Sequence, residues 1–245
     1  MTPRPEFDAA DPAADRTADR TADRTVDRTV DRTVQASPAD SVLQAANQAA
    51  YGRMALQLHH DLPAVAGKRT VMLTCANNAP LAAYASICLA HSLAEELQRS
   101  VVLVDAHARA GDVSRLLGCS AALGFSDMLL DPMLHPGALL QATSHPLVSV
   151  LPAGVAAGLR RPRAPADIER VLRAIADGPE FVLLHAGPVL DDTAALSLAP
   201  FVARVLLLAF ENDTLLGDLD LAQRALRACK AQQIGLVIAS NGASR

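Results

Sequence analysis

From residue 41 onward, short apolar runs alternate with longer stretches whose apolar positions recur about every 3.6 residues. The runs predict strands at 70–75, 100–105, 147–151, 181–185, 204–210 and 234–240. The periodic stretches predict helices at 81–98, around 113–118, near 125–130, at 165–177, around 192–198 and at 216–231. Ahead of them Val42, Leu43, Ala46, Ala49, Ala50, Met54 and Leu58 mark a lead-in helix over 41–60, ended by the break at Pro63 and Gly67. Strand runs without polar alternation, separated by helices, imply a parallel sheet buried on both faces. The expected class is α/β, a doubly wound and mostly parallel sheet flanked by helices. Ligands of such folds sit beyond the carboxyl ends of the strands.

The N-terminal pattern is different in kind. Five copies of Asp-Arg-Thr-Ala/Val run through "DRTADRTADRTVDRTVDRTV" at 15–34, flanked by Pro3, Pro5, Pro12 and Pro38. With almost no large apolar side chains, the repeat buries too little surface to offset its ordering entropy, and a disordered arm is expected. A helix joined by Arg-to-Asp pairs three residues apart is the other reading, though Thr and Val are indifferent helix formers. Three parts follow: an arm over 1–40, a lead-in helix and linker over 41–66, and an α/β domain over 67–245.

Composition narrows the function. The chain has 245 residues, 51% of them hydrophobic, enough for one sizeable core. Aromatics are 3% and Trp is absent, so that core must be Ala, Leu and Val. A net charge of −4 without a dense basic block argues against nucleic acid as a partner. Cys75, Cys88, Cys119 and Cys229 form no C-x-x-C pair and predict reduced thiols, not disulfides or zinc. The first thirty residues lack an apolar h-region, and the greasy run at 196–210 is broken by Pro200 and Arg204, so a soluble cytoplasmic protein is expected.

The segment "VMLTCANNAPLAAYASICLAHSL" at 71–93 has the strand, turn and helix order of a phosphate-binding loop. Against G-x-x-x-x-G-K-[ST] read from Ala76, the second glycine becomes Leu81, the lysine Ala82 and the hydroxyl Ala83, while Pro80 removes an N–H from the turn. Ala76, Asn77, Asn78, Leu81, Ala82 and Ala83 therefore outline a vestigial cleft. A charge-assisted hydrogen bond contributes about 1.5–3 kcal/mol, so losing the lysine and several amides weakens a triphosphate by powers of ten. ATP and Mg²⁺ are not expected as cofactors. Pro80 suits the first helical turn, with Asn78 or Ala79 as cap.

With that loop, the segments "AAYGRMALQL", "LTCANNAPLAA", "VLVDAHARAG", "GFSDMLL", "VSVLPAG", "FVLLHAGPVLDDTAALSLAPFV" and "LVIASNG", from Ala49 to Gly242, resemble in order those of the cytoplasmic kinase domain of bacterial tyrosine kinases. These are relatives of the deviant-Walker ParA/MinD ATPases with a P-loop NTPase-like fold; "VSVLPAG" and "GPVLDDTAALSLAP" are the most specific matches. Of the acids that hold metal in that family, Asp105 is kept, but the second acid of its loop is His107 and the carboxylate at the next strand end is His185. Imidazole does not replace an oxygen ligand of Mg²⁺. Asp105, His107 and His185 are thus expected as remnants, with no catalytic residue and no metal. The ring-assembly Glu and two Arg of the family fall on Ala49, Gly52 and Ala55, with Arg53 nearby. A C-terminal tyrosine tail is not expected: the sequence ends "SNGASR", and Tyr51 and Tyr84 are its tyrosines.

Several positions keep two readings. Asn241 matches the base-contacting position of the family and equally forms a turn with Gly242. His107 and His185 with Asp105 could form a transition-metal pair or serve as hydrogen-bonded structural residues. His59 and His60 complement a helix C-terminus, and Asp191 and Asp192 suit N-capping. Arg160, Arg161 and Arg163 read as an exposed loop or a dock for acidic partners or phospholipid headgroups.

The resemblance implies a catalytically inactive, tyrosine-kinase-like accessory protein of exopolysaccharide, capsule or holdfast biosynthesis. It would dock on the cytoplasmic end of a membrane-bound polysaccharide co-polymerase, a chain-length regulator, and so lie peripheral to the inner membrane through that partner. The alternatives are residual ATP-dependent tyrosine kinase or ATPase activity, with a partner supplying the missing cation, and a MinD/ParA-like positioning protein.

Overall fold

In a computed structural model of the chain, the described residues are 38–62, 69–77, 79–107, 112–155 and 164–239. The repeat at 15–34, the break at Pro63 and Gly67, Asn78, the arginines Arg160, Arg161 and Arg163, and Asn241 lie outside them.

The apolar runs form the strands that the pattern anticipates. These are β1 (Arg69–Cys75), β2 (Val101–Asp105), β4 (Val148–Leu151), β5 (Phe181–His185), β6 (Arg204–Phe210) and β7 (Ile234–Ala239), with a two-residue β3 (Gln141–Ala142). They build one seven-stranded sheet in the order β3-β4-β2-β5-β1-β6-β7. Every pairing is parallel except that of β3 with β4, where Gln141 lies opposite Val150. β3 carries no strand signal, because both residues are exposed and gain only an edge pairing.

Helices cover both faces. They are α1 (Pro38–Asp61), α2 (Ala79–Leu97), α3 (Asp112–Leu116), α4 (Phe125–Leu130), α5 (Pro136–Leu139), α6 (Pro165–Ile175), α7 (Thr193–Leu198) and α8 (Leu216–Ala228). Alternate residues of a strand point to opposite faces, and the core divides accordingly. Val71, Leu73, Leu103 and Phe181 pack with Leu58 and Leu89 of α1 and α2. Met72, Val104, Leu184 and Leu207 pack with Phe125, Ile168 and Leu226 of α4, α6 and α8.

Two helix starts differ from the sequence reading by two residues or more, and one short helix has no counterpart in it. α1 begins at Pro38, inside the stretch assigned to the arm. α2 begins at Ala79, two residues before the first strongly apolar position, with Pro80 in its first turn. The unpredicted helix, α5, is a single turn with Pro136 at its start. Among the described residues, no helix is long and apolar enough to cross a membrane.

Candidate functional site at the strand ends

Between β1 and α2 only residues 76–78 intervene. The positions matching the second half of a phosphate cradle are therefore already helical. Ala76, Ala82 and Ala83 are fully buried, while Asn77 and Leu81 are exposed. Ala82 and Ala83 pack into the core under α2. The loop is tied down by Val189 N donating to Cys75 O at 2.8 Å and Leu190 N donating to Ala76 O at 3.3 Å. Asn77 Nδ2 donates to Asp218 Oδ2 at 3.0 Å, so a carboxylate from the first turn of α8 borders the loop. Buried methyl groups and a neighbouring acid do not fit a magnesium-bound triphosphate.

The polar side chains gather one strand further on. Asp105 ends β2 and His185 ends β5, opposite each other in the parallel ladder. Both are fully buried. Asp105 Oδ2 accepts from Ser114 N and Ser114 Oγ, each at 2.7 Å, and Oδ1 accepts from His107 N at 3.2 Å. Ser114 Oγ in turn accepts from Ala153 N at 2.8 Å, so one carboxylate joins β2, α3 and the end of β4. Burial raises the Asp105 carboxyl pKa, against these hydrogen bonds and the nearby His107, which lower it.

His185, on the same face, bonds to a different helix. Its Nδ1 lies 3.2 Å from Ser86 Oγ on α2, and its ring centroid is 6.1 Å from that of His107, nearly edge to face. Burial, followed by His107, lowers the His185 pKa to about 3, so its imidazole is neutral. His107 is itself buried between two acids: Nδ1 lies 3.1 Å from Asp112 Oδ2, and Nε2 lies 3.9 Å from Asp192 Oδ2. Gly187 permits that placement, since a Cβ there would come within 2.8 Å of both His107 Nε2 and Asp192 Oδ2. Asp192 Oδ1 caps α7 by accepting from Ala194 N at 2.9 Å.

The three remnant residues expected from sequence thus converge, but not as a unit. Asp105 is committed to Ser114 and His107 N, and the carboxylate that faces the two imidazoles is Asp112. Sequence reasoning missed Asp112, Ser86 and Ser114. For Asp112 a signal was present, an acid in the first turn of a short helix five residues after His107.

No protein-family model matches the chain, and no curated protein matches it at a significant level. Solved structures do. The kinase domain of the Escherichia coli tyrosine kinase ETK is similar with TM-score 0.68 and 19% identity, over 81% of this chain and 78% of that one. The VpsO kinase domain is similar with TM-score 0.69 and 18% identity, over 84% and 99%. A ParA family ATPase from Chlorobium tepidum gives TM-score 0.54 and 16% identity, over 69% and 73%. At such identities the likeness establishes the fold: a P-loop NTPase-like α/β domain of the kind found in bacterial tyrosine kinases and ParA-type ATPases.

Proposed function

We propose that this chain is a tyrosine-kinase-like accessory protein that has given up phosphoryl transfer and acts by docking. Its partner in this reading is a membrane-bound polysaccharide co-polymerase of an exopolysaccharide, capsule or holdfast pathway, and it joins the inner membrane only through that partner. The observation that carries the reading is the burial of the alanines at the start of α2. Where a kinase holds phosphate with glycine amides and a lysine, Ala82 and Ala83 are buried in the core and Asp218 stands beside Asn77. Phosphoryl transfer depends almost wholly on positioning and on cations at the phosphates. A site without those groups has no means to do it.

A groove of about 940 Å³ supports the docking half of the proposal. It runs between α1, the start of α2 and the edge formed by β6 and β7, and exposes Leu81, Tyr84, Leu236 and Ile238. Exposed apolar side chains clustered in this way mark protein contact surfaces more often than solvent faces.

Two measurements test the proposal. A fluorescent ATP analogue titrated against the purified chain, with and without Mg²⁺, is expected to show no saturable binding at micromolar concentration; saturation there returns the chain to the ATPases. Affinity purification from the native host, with the membrane proteins identified, is expected to recover a co-polymerase. Recovery of a chromosome-partitioning complex instead would overturn the assignment.

A further inference from the structure

His185 is fully buried, yet its Nε2 has no hydrogen-bond partner. The neighbouring serine fixes the tautomer. Ser86 Oγ donates its hydrogen to Ala82 O at 2.8 Å, so at 3.2 Å it accepts from His185 Nδ1–H, and Nε2 carries a bare lone pair. One ring nitrogen anchored and the other unmet is how a protein holds a metal-ligating histidine.

Two further donors lie close to that ring. His107, Asp112 and His185 each offer one ligand atom, and these atoms all lie within 4.8 Å of one another, all on buried residues. We propose that His107, Asp112 and His185 bind one divalent transition-metal ion of the Zn²⁺ class. His107 uses Nδ1, which already stands 3.1 Å from Asp112 Oδ2. That separation is near the edge of a tetrahedron with Zn–N and Zn–O bonds of ~2.0 Å, about 3.3 Å. His185 Nε2 closes on the pair, and water takes the fourth position.

The second unpartnered atom of the cluster has a part as well. Asp192 Oδ2 is buried without a hydrogen bond, 3.9 Å from His107 Nε2. When His107 gives the Nδ1 lone pair to the ion, its proton moves to Nε2 and points at Asp192, the carboxylate–histidine–metal arrangement that holds such rings in place. Each otherwise unmatched polar atom of the cluster thereby gains a partner. Two imidazoles and one carboxylate select Zn²⁺, Co²⁺ or Ni²⁺ and disfavour Mg²⁺, which takes oxygen donors. The inference does not rest on the docking reading, since the ion would clip β2, β5 and α3 together whatever the partner.

The test uses the full chain without an affinity tag, treated with chelator and titrated with Co²⁺ while its visible absorption is followed, then with Zn²⁺ in competition. One equivalent of Co²⁺ with the intense bands of tetrahedral coordination, displaced by one equivalent of Zn²⁺, is expected. His107→Gln and Asp112→Asn are each expected to weaken binding by roughly 100-fold or more, and Asp192→Asn by about 10-fold. His60→Gln, on the exposed end of α1, should leave it unchanged. Circular dichroism separates loss of metal from loss of fold in the variants. Absence of stoichiometric binding by the unaltered chain at micromolar ion, or equal binding by folded His107→Gln and Asp112→Asn chains, overturns the proposal.

Discussion

Asp105 and His185 are register partners across the parallel ladder of β2 and β5, both fully buried, and they direct their hydrogen bonds to two different helices on the same face of the sheet. Asp105 reaches α3 through Ser114, whereas His185 reaches α2 through Ser86. The pair ties α2 and α3, which pack together on one face, to two adjoining strand ends.

Ser114 should therefore matter to stability more than its size suggests. Ser114→Ala removes a donor from the Asp105 carboxylate and leaves Ala153 N without its acceptor. A buried group so orphaned costs about 1–3 kcal/mol. Ser197→Ala, which removes only an exposed bond to Thr193 O, should cost about 0.5 kcal/mol or less. Urea midpoints of the two variants check the contrast, and equal midpoints would show that the Asp105 network does not anchor α3.

His185 gives the fold an acid limit. Its pKa falls from the ordinary 6.5 to about 3 on folding. Between those values the unfolded chain holds a proton that the native chain does not, so stability rises with pH. The contribution is complete above pH 6.5 and is lost as pH falls toward 3, at about 1.4 kcal/mol per pH unit. Asp105, whose pKa burial raises, acts in the opposite sense just above its ordinary 3.8 and softens the loss at the acid end. Thermal midpoints measured from about pH 7 down to about pH 4.5 should fall for the unaltered chain and fall less steeply for His185→Gln. Parallel curves would mean that His185 is not held neutral by the fold.

Two glycines separate close approach from simple flexibility. A Cβ on Gly124 would collide with the Pro152 carbonyl and lie 2.8 Å from Gly154 N, all of it backbone. Gly124→Ala must push α4 from the end of β4 and is expected to cost 3 kcal/mol or more, of the order of severe overpacking. Gly217, in the first turn of α8, has nothing within 4 Å of an added Cβ. Gly217→Ala should stabilise by about 0.5–1 kcal/mol through helix propensity and unfolded-state entropy. Thermal unfolding of both variants reads out the two signs.

The sheet was legible because its strands are buried on both faces. Runs such as "FVLLH" and "RVLLLAF" have no polar alternation, and β5 and β6 fall where those runs lie. β3 and α5 were not legible, since Gln141 and Ala142 are an exposed edge pair on β4 and α5 is a single turn, too short to show a helical period. At the strand ends, the sequence named His107 and His185 but grouped them with Asp105. The hydrogen bonds that commit Asp105 to Ser114 join residues nine apart and leave no local pattern, whereas Asp112, whose carboxylate meets His107, carried only the weak signal of an acid in the first turn of a short helix.

The buried start of α2 can be challenged by returning the cation it lacks. In a phosphate-binding loop the lysine extends from the start of the helix into the turn, with glycines leaving room for the anion. Here α2 has already begun at Ala79, and the Ala82 methyl is fully buried in the core shared with β1. Ala82→Lys must either bury an ammonium group or lift α2 from the sheet, and burying an unpaired charge is among the costliest of single changes. The variant is expected to lose about 3 kcal/mol or more, and adding Leu81→Gly and Ala83→Thr is not expected to give ATP binding, because all three positions lie inside α2. Urea denaturation and an ATP-analogue titration measure the two outcomes. A stable triple variant that binds the analogue with Mg²⁺ would show that the start of α2 at Ala79 does not prevent nucleotide binding.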